Sequence, residues 1–182
     1  SLKAQALREK IEDIRKVKKA FVKFSTDGLV IVNVIERKEA VVFFNNDLYE
    51  VLDGNGVILS IKQNYEGLSS LPLLVGKDAS KNINALLALV NEIGSYQSEV
   101  LYYEWVGERR WDIHMKSELV FKLPENNLNK GLKVMRMFLR EPNKLSKTVV
   151  SVDLRNIDKP IIRFKKVPPV EYIGTNTRRL SG

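Results

Sequence analysis

Between Ala40 and Leu59 the sequence alternates short β-branched or aromatic runs with turn signals only a few residues apart. Val41-Val42-Phe43-Phe44 gives way to Asn45-Asn46-Asp47, then Leu48-Tyr49-Glu50-Val51-Leu52, then Asp53-Gly54-Asn55-Gly56, then Val57-Ile58-Leu59. Asn, Asp and Gly accept the left-handed backbone that tight hairpin turns require, and the flanking runs carry strand propensity. A stretch written this way folds as short paired strands, and whatever surrounds it must pack on or beside them.

Upstream, Leu7, Ile11, Ile14 and Val17 recur at helical spacing, with charged residues on the other face. That predicts a short amphipathic helix from about Lys3 to Ile14. Ala20 to Phe24 and Leu29 to Glu36 then read as two strands around the Thr26-Asp27-Gly28 turn. Downstream, Gln63 to Ser70 is a polar loop. Leu71 to Gly76 is a short extended segment in which Pro72 fits a sheet edge or a strand start. Asp78 or Ser80 is placed to cap a helix from about Ala79 to Ile93, with Ile83, Leu86, Leu87, Val90 and Ile93 inward and Gly94 as its stop. Strands follow at Val100–Val106, Trp111–Met115 and Leu119–Leu123, with a turn at Lys116-Ser117-Glu118. A second helix has Leu128, Leu132, Met135, Phe138 and Leu139 inward and ends at Pro142. Val149–Leu154 and Ile161–Lys165 are the last strands. Pro168-Pro169 interrupts the chain there, and Gly174–Gly182 is a polar, basic tail.

The expected class is α+β: a helix–hairpin unit, then a larger, mostly antiparallel sheet with two helices, the boundary falling near Arg37 to Ala40. The 182 residues, 44% apolar and 29% charged, suffice for one domain or two small ones. No apolar run approaches the roughly 20 residues that span a bilayer, and no signal peptide is visible. The chain opens on Ser1-Leu2 without an initiator Met, and we read it as a piece of a longer protein.

Chemistry is scarce. With no cysteine, disulfides, zinc ribbons, iron–sulfur sites and thiol nucleophiles are excluded. One histidine, His114, leaves almost no material for a triad or a multi-His metal site. There is no Walker-type loop, GxGxxG or GxSxG. Glu50 and Asp53 read as solvated hairpin residues, and His114 as a half-exposed strand position. Thirty Lys and Arg against 22 Asp and Glu give a net charge of +8. The basic residues are spread along the whole chain without interleaved aromatics, so solvated faces, with some attraction to an anionic membrane surface, explain them better than nucleic acid does. No catalytic residue, cofactor or metal is expected.

Five segments, in order, resemble the FtsQ/DivIB family of bacterial cell-division proteins. IEDIRKVKKAFVKFSTDGLVIVNVIERKEAVVFF looks like the end of a POTRA domain running into the family's β domain, with Glu39 where the family usually has Pro. LYEVLDGNGVIL, LPLLVG, VGERRWDIHMKSELVFKLPE and VVSVDLRNIDKPIIRF resemble its later hairpins, the Glu-Arg-Arg-Trp form being most like alphaproteobacterial members. The resemblance covers Lys3 to Lys166. It implies a truncated POTRA unit at 1–38, lacking its first strand and helix, a β domain at 39–166 and a flexible tail at 167–182.

The resemblance also implies a non-enzymatic divisome scaffold. Such a protein is held in the inner membrane by one upstream helix, lies in the periplasm at the septum, and binds FtsB and FtsL. Other division proteins would meet it through the POTRA unit. In the family, FtsB adds a strand to the edge of the last β-strand, which here falls between Asn156 and Phe164. The implied partner-binding residues are Arg110 (or its neighbour Arg109), Asn156, Ile161, Ile162 and Phe164. Phe164 stands where relatives carry an anchoring Trp, and Asn156 where they carry a Tyr. Pro160 would remove one donor from that edge. The competing readings are a POTRA-containing outer-membrane assembly or translocation module, and an enzyme acting on cell-wall material.

Overall fold

The computed structural model describes residues 2–141 and 148–166. The chain begins with helix α1 (Leu2–Glu12) and the antiparallel pair β1 (Val17–Phe24) and β2 (Val30–Glu36). The hairpin turns at Gly28, whose φ of 84° is open to glycine without strain. Val17 and Ala20 are buried, and the Ala20 amide donates to the Glu12 carboxylate at 2.9 Å, tying the helix end to the strand. The expected helix runs two residues shorter at its C-terminal end, because Val17 belongs to β1. β2 is exposed along its whole length.

The second part is a nine-stranded sheet with the order β11-β10-β9-β8-β7-β6-β3-β4-β5. Its strands are β3 (Glu39–Asn45), β4 (Leu48–Asp53), β5 (Ile58–Lys62), β6 (Leu73–Val75), β7 (Val100–Val106), β8 (Arg110–Met115), β9 (Val120–Lys122), β10 (Val149–Asp153) and β11 (Ile161–Phe164). β3, β4 and β5 form the meander that the turn clusters predict, with Asn46 and Asp47 at positive φ. Most ladders are antiparallel, but β3–β6, β6–β7 and β9–β10 run parallel.

Those parallel pairs explain the helices. α2 (Ile83–Ile93) carries the chain from β6 to β7, and α3 (Leu128–Arg140) lies between β9 and β10 in the chain. All four strands point the same way, and both crossovers step in the same direction along the sheet. Crossovers of this kind are right-handed, so both helices fall on one face. There Leu86 and Leu89 of α2, and Leu132 and Met135 of α3, share a single core with Leu52, Leu74, Ile113, Phe121 and Val152. Fully burying each such side chain is worth roughly 1.5–3 kcal/mol before entropy is charged against it. On the opposite face a small cluster of Val42, Val51 and Leu68 sits beneath the 63–72 loop as it crosses from β5 to β6.

Four details differ from the expectations. Pro72 is at a strand start but not at an edge: β6 is internal, and Val42 donates to the Pro72 carbonyl at 3.0 Å. Neither Asp78 nor Ser80 caps α2. A 3-10 turn, Ala79–Asn82, precedes it, and the Asp78 carboxylate pairs with Lys81 at 2.7 Å. Leu89 joins the buried stripe of α2, while Leu87 is only partly buried. Asp53 is not solvated. It is buried, accepts the amides of Asn55 and Val57 at 2.9 and 2.8 Å, and pairs with Arg37 at 2.8 Å. Burial pushes its carboxyl up, but the two amides and the Arg37 guanidinium together hold it below the usual range. The helix stop expected at Pro142, the Pro168-Pro169 break and the tail from 167 onward lie outside the described residues.

β6 leaves the sheet at Gly76, where φ is 116° and an added Cβ would fall on the Trp105 backbone of β7. Gly76→Ala is expected to lower unfolding free energy by about 2 kcal/mol or more, read from urea denaturation; a change below a few tenths would contradict the close approach.

Candidate protein-binding edge

β11 is the last described strand and, among the described residues, pairs only with β10, so within them one of its two edges is open. Its register puts Ile162 opposite Val152 and Phe164 opposite Val149, both on the helix-covered face, while Ile161 and Arg163 share the other face with Asp153 and Ser151. All four residues of the strand are exposed, Ile161 at 57% and Phe164 at 60%. An open edge offers unpaired N–H and C=O groups, and exposed apolar side chains on both faces offer surface to bury beside them.

A cleft of about 590 Å³ adjoins the 154–160 loop that leads into β11, lined by Arg109, Arg110, Lys130, Arg155 and Asn156 among others. Two of the cations, Arg110 and Arg155, are held in place by buried carboxylates two residues away in the chain. Asp112 on β8 receives Arg110 Nε at 3.1 Å, and Asp153 at the end of β10 receives Arg155 Nε at 2.9 Å and Nη2 at 2.6 Å. The Arg155 guanidinium is the main reason that the Asp153 carboxyl lies below its ordinary range. Burial opposes this, while the Arg155 amide and the charge of Lys122 reinforce it. Both carboxylates thus fix guanidinium orientation in a cleft whose other charges are mixed, Arg109 and Lys130 standing with Glu125 and Asp158.

The structure places Arg110 and Asn156 in this one cleft and Ile161, Ile162 and Phe164 on the strand that leaves it. Asn156 is also occupied locally: its Oδ1 accepts the Asp158 amide at 3.1 Å and shapes the loop. Arg155, Asp153 and Asp112 were not foreseen as part of the site. The signal available for them was the Arg-x-Asp and Asp-x-Arg spacing, which puts Arg110 and Asp112 on one face of β8 and lets Arg155 fold back on Asp153 just past the end of β10. His114, at a half-buried strand position, pairs with Glu104 at 2.7 Å and stacks on Tyr102 at 4.1 Å. Among the described residues there is no group of His, Asp or Glu side chains able to hold a metal ion, and no helix long and apolar enough to cross a membrane.

Fold and edge together define an α+β sheet module whose last described strand lies at the sheet edge beside an arginine-lined cleft. A family model described as "Cell division protein FtsQ/DivIB, C-terminal" matches residues 40–155, and the chain belongs to that family. It is 28% identical over 165 residues to "Cell division protein FtsQ" of Bradyrhizobium diazoefficiens, covering 91% of this chain and 48% of that protein. It is likewise 28% identical to the Rhizobium radiobacter protein of that name, covering 90% and 78%, and 27% identical to the Zymomonas mobilis one, covering 91% and 52%. The chain therefore spans about half the length of the Bradyrhizobium and Zymomonas relatives. A solved structure, the major extracytoplasmic domain of the trans isomer of DivIB from Geobacillus stearothermophilus, overlays at a TM-score of 0.43 and 14% identity, over 60% of this chain and 97% of that one. Arg110 lies within the family-model match; Asn156 and β11 lie just beyond its end.

Because Asp153 is depressed in the folded state, its pairing contributes stability above its ordinary value near pH 4, and that contribution is lost as pH falls. Urea unfolding between pH 5 and pH 2 should therefore lose about 1 kcal/mol less in Asp153→Asn than in the native chain, Arg155 being half exposed. Equal pH slopes in the two proteins would refute the assignment.

Proposed function

We propose that this chain is the partner-binding part of a divisome scaffold that captures FtsB- and FtsL-type proteins in the periplasm by strand addition to β11. The protein would lie at the inner membrane, concentrate at the septum and link early to late division proteins without performing a reaction. Family membership supports the cell-division role. The observation that carries the binding mode is β11 itself, a strand paired on one side only and exposed on both faces. Backbone pairing would supply affinity, and Ile161, Ile162 and Phe164 would select the partner's side chains. The neighbouring Arg110 and Arg155 favour a partner with acidic residues flanking its added strand. Asn156 supports the loop geometry. The unit at 1–38 reads as the C-terminal part of a POTRA domain, a second surface for division proteins, and 39–166 as the β domain that carries the binding edge.

A peptide from the periplasmic part of FtsB should bind the chain, and Phe164→Ala should weaken it by about 2 kcal/mol or more, an aromatic anchor being a typical hot spot. Ile61→Ala, which removes an exposed apolar side chain from β5 at the opposite edge of the sheet, should leave the affinity unchanged. Calorimetric titration of the three proteins checks this. Tight binding that ignores Phe164, or that depends on Ile61 instead, would place the partner elsewhere.

A further inference from the structure

A second cavity, of about 490 Å³, lies far along the sheet order from β11. It opens where β6 is too short to accompany its neighbour: β7 has seven residues, but β6 pairs only with Tyr103 and Glu104. Below that pairing the 69–73 segment, the turn after α2 and the start of β7 leave a recess. Its apolar wall includes Pro72, Leu73, Val90 and the exposed Leu101.

Tyr103 and Lys116 stand out in this wall, beside the small hydroxyls of Ser69, Ser70 and Ser95, as side chains without a partner among the described residues. Tyr103 is 2% exposed, yet its hydroxyl makes no hydrogen bond; the fully enclosed unpaired side-chain atoms are Arg37 Nε and Ser60 Oγ, so the small exposure that Tyr103 retains opens on this recess. Burial pushes its phenol far above the usual range, which keeps the proton on and the hydroxyl a donor. Lys116, exposed at the rim, is the one charged side chain lining the recess, and among the described residues its ammonium has no carboxylate partner. Three other polar side chains are committed: Gln97 donates to the Val90 carbonyl at 2.8 Å, Tyr65 to the Leu71 carbonyl at 3.3 Å and Ser98 to the Ser95 carbonyl at 3.3 Å. A hydroxyl this enclosed is poorly served by water, so a bound acceptor would offer it a better partner.

We propose that this recess binds a small carboxylate with an apolar body, as a free acid or as the C-terminal residue of a peptide. The carboxylate meets Lys116 and the Tyr103 hydroxyl, and the apolar body lies against Pro72, Leu73, Val90 and Leu101. The site is separate from β11 and does not depend on the proposed partner binding.

The test uses N-acetyl-leucine, the peptide Gly-Gly-Leu and N-acetyl-leucinamide, each titrated into the protein while amide resonances of Ser95, Leu101 and Lys116 are followed by NMR. Saturable shifts are expected with the two acids, and at least tenfold weaker binding with the amide. Comparable binding of both acids marks the carboxylate and side chain as sufficient, whereas preference for the peptide marks a chain terminus as the ligand. Tyr103→Phe and Lys116→Gln should each weaken acid binding at least fivefold. Tyr103→Phe should fold with an undiminished melting temperature, because the hydroxyl it removes has no partner. Absence of saturable shifts, equal binding of the amide, or acid binding indifferent to both substitutions would overturn the proposal. A clear loss of stability in Tyr103→Phe would show that the hydroxyl is already bonded, and would remove its basis.

Discussion

The nine-stranded sheet is joined through three residues. Leu73, Leu74 and Val75 of β6 pair in parallel with β3 on one side and β7 on the other, and without them the chain would hold two separate sheets, β3–β5 and β7–β11. So short a ladder cannot hold the halves by hydrogen bonds alone, each being worth only about 1 kcal/mol net. Packing completes the joint. Leu74 is fully buried in the core that α2 and α3 share, and Leu73 packs against the cluster beneath the 63–72 loop. Gly76 then lets the chain leave hard against the Trp105 backbone. The position of β11 relative to the first meander follows from this joint, and so does the recess beside Tyr103, which exists because β6 is shorter than its neighbours.

Local pattern made most elements legible. Alternation and turn chemistry marked the hairpins, and a 3.6-residue spacing marked the helices, because those signals arise within a few residues. What was not legible was long-range. Leu71-Pro72-Leu73-Leu74-Val75 reads alike as an edge segment or a buried strand, and only pairing with residues some 30 positions away on either side decides between them. Asp53 looks like an ordinary turn acid until Arg37, 16 residues earlier, is folded against it. In the candidate site, Arg110, Asn156 and the residues of β11 came from family resemblance rather than from periodicity. The carboxylates that orient the arginines became evident only once β8 and β10 were both in the sheet.

An open edge is hazardous as well as useful, since any extended chain can pair with it. The two ends of this sheet meet the hazard differently. β5 carries a bulge at Leu59, where Val51 faces Ser60 but Leu52 faces Ile58, and it ends on Lys62. A bulge twists the strand and breaks the regular spacing of donors and acceptors, so an incoming strand finds no continuous partner. At the other end the irregularity lies in β10, at Val150, and β11 itself stays regular through its four residues. Protection there comes from short length, from Pro160 just before the strand, and from the charges of Arg163 and Lys165, the latter paired with Glu118 at 2.7 Å.

This asymmetry bears on which end is better suited to accept the proposed added strand. Brevity limits pairing with any strand, but the charges deter chiefly another copy of the same basic strand, because like charges would be set side by side, and do not deter an acidic one. A bulge deters every comer alike. A sheet that blunts one edge with a bulge and the other with brevity, a proline and charge keeps a regular ladder only at the second, and that second edge is the one beside the Arg110 and Arg155 cleft. Cationic side chains can thus protect β11 from its own kind while favouring the complementary partner, so that one set of charges serves both solubility and specificity.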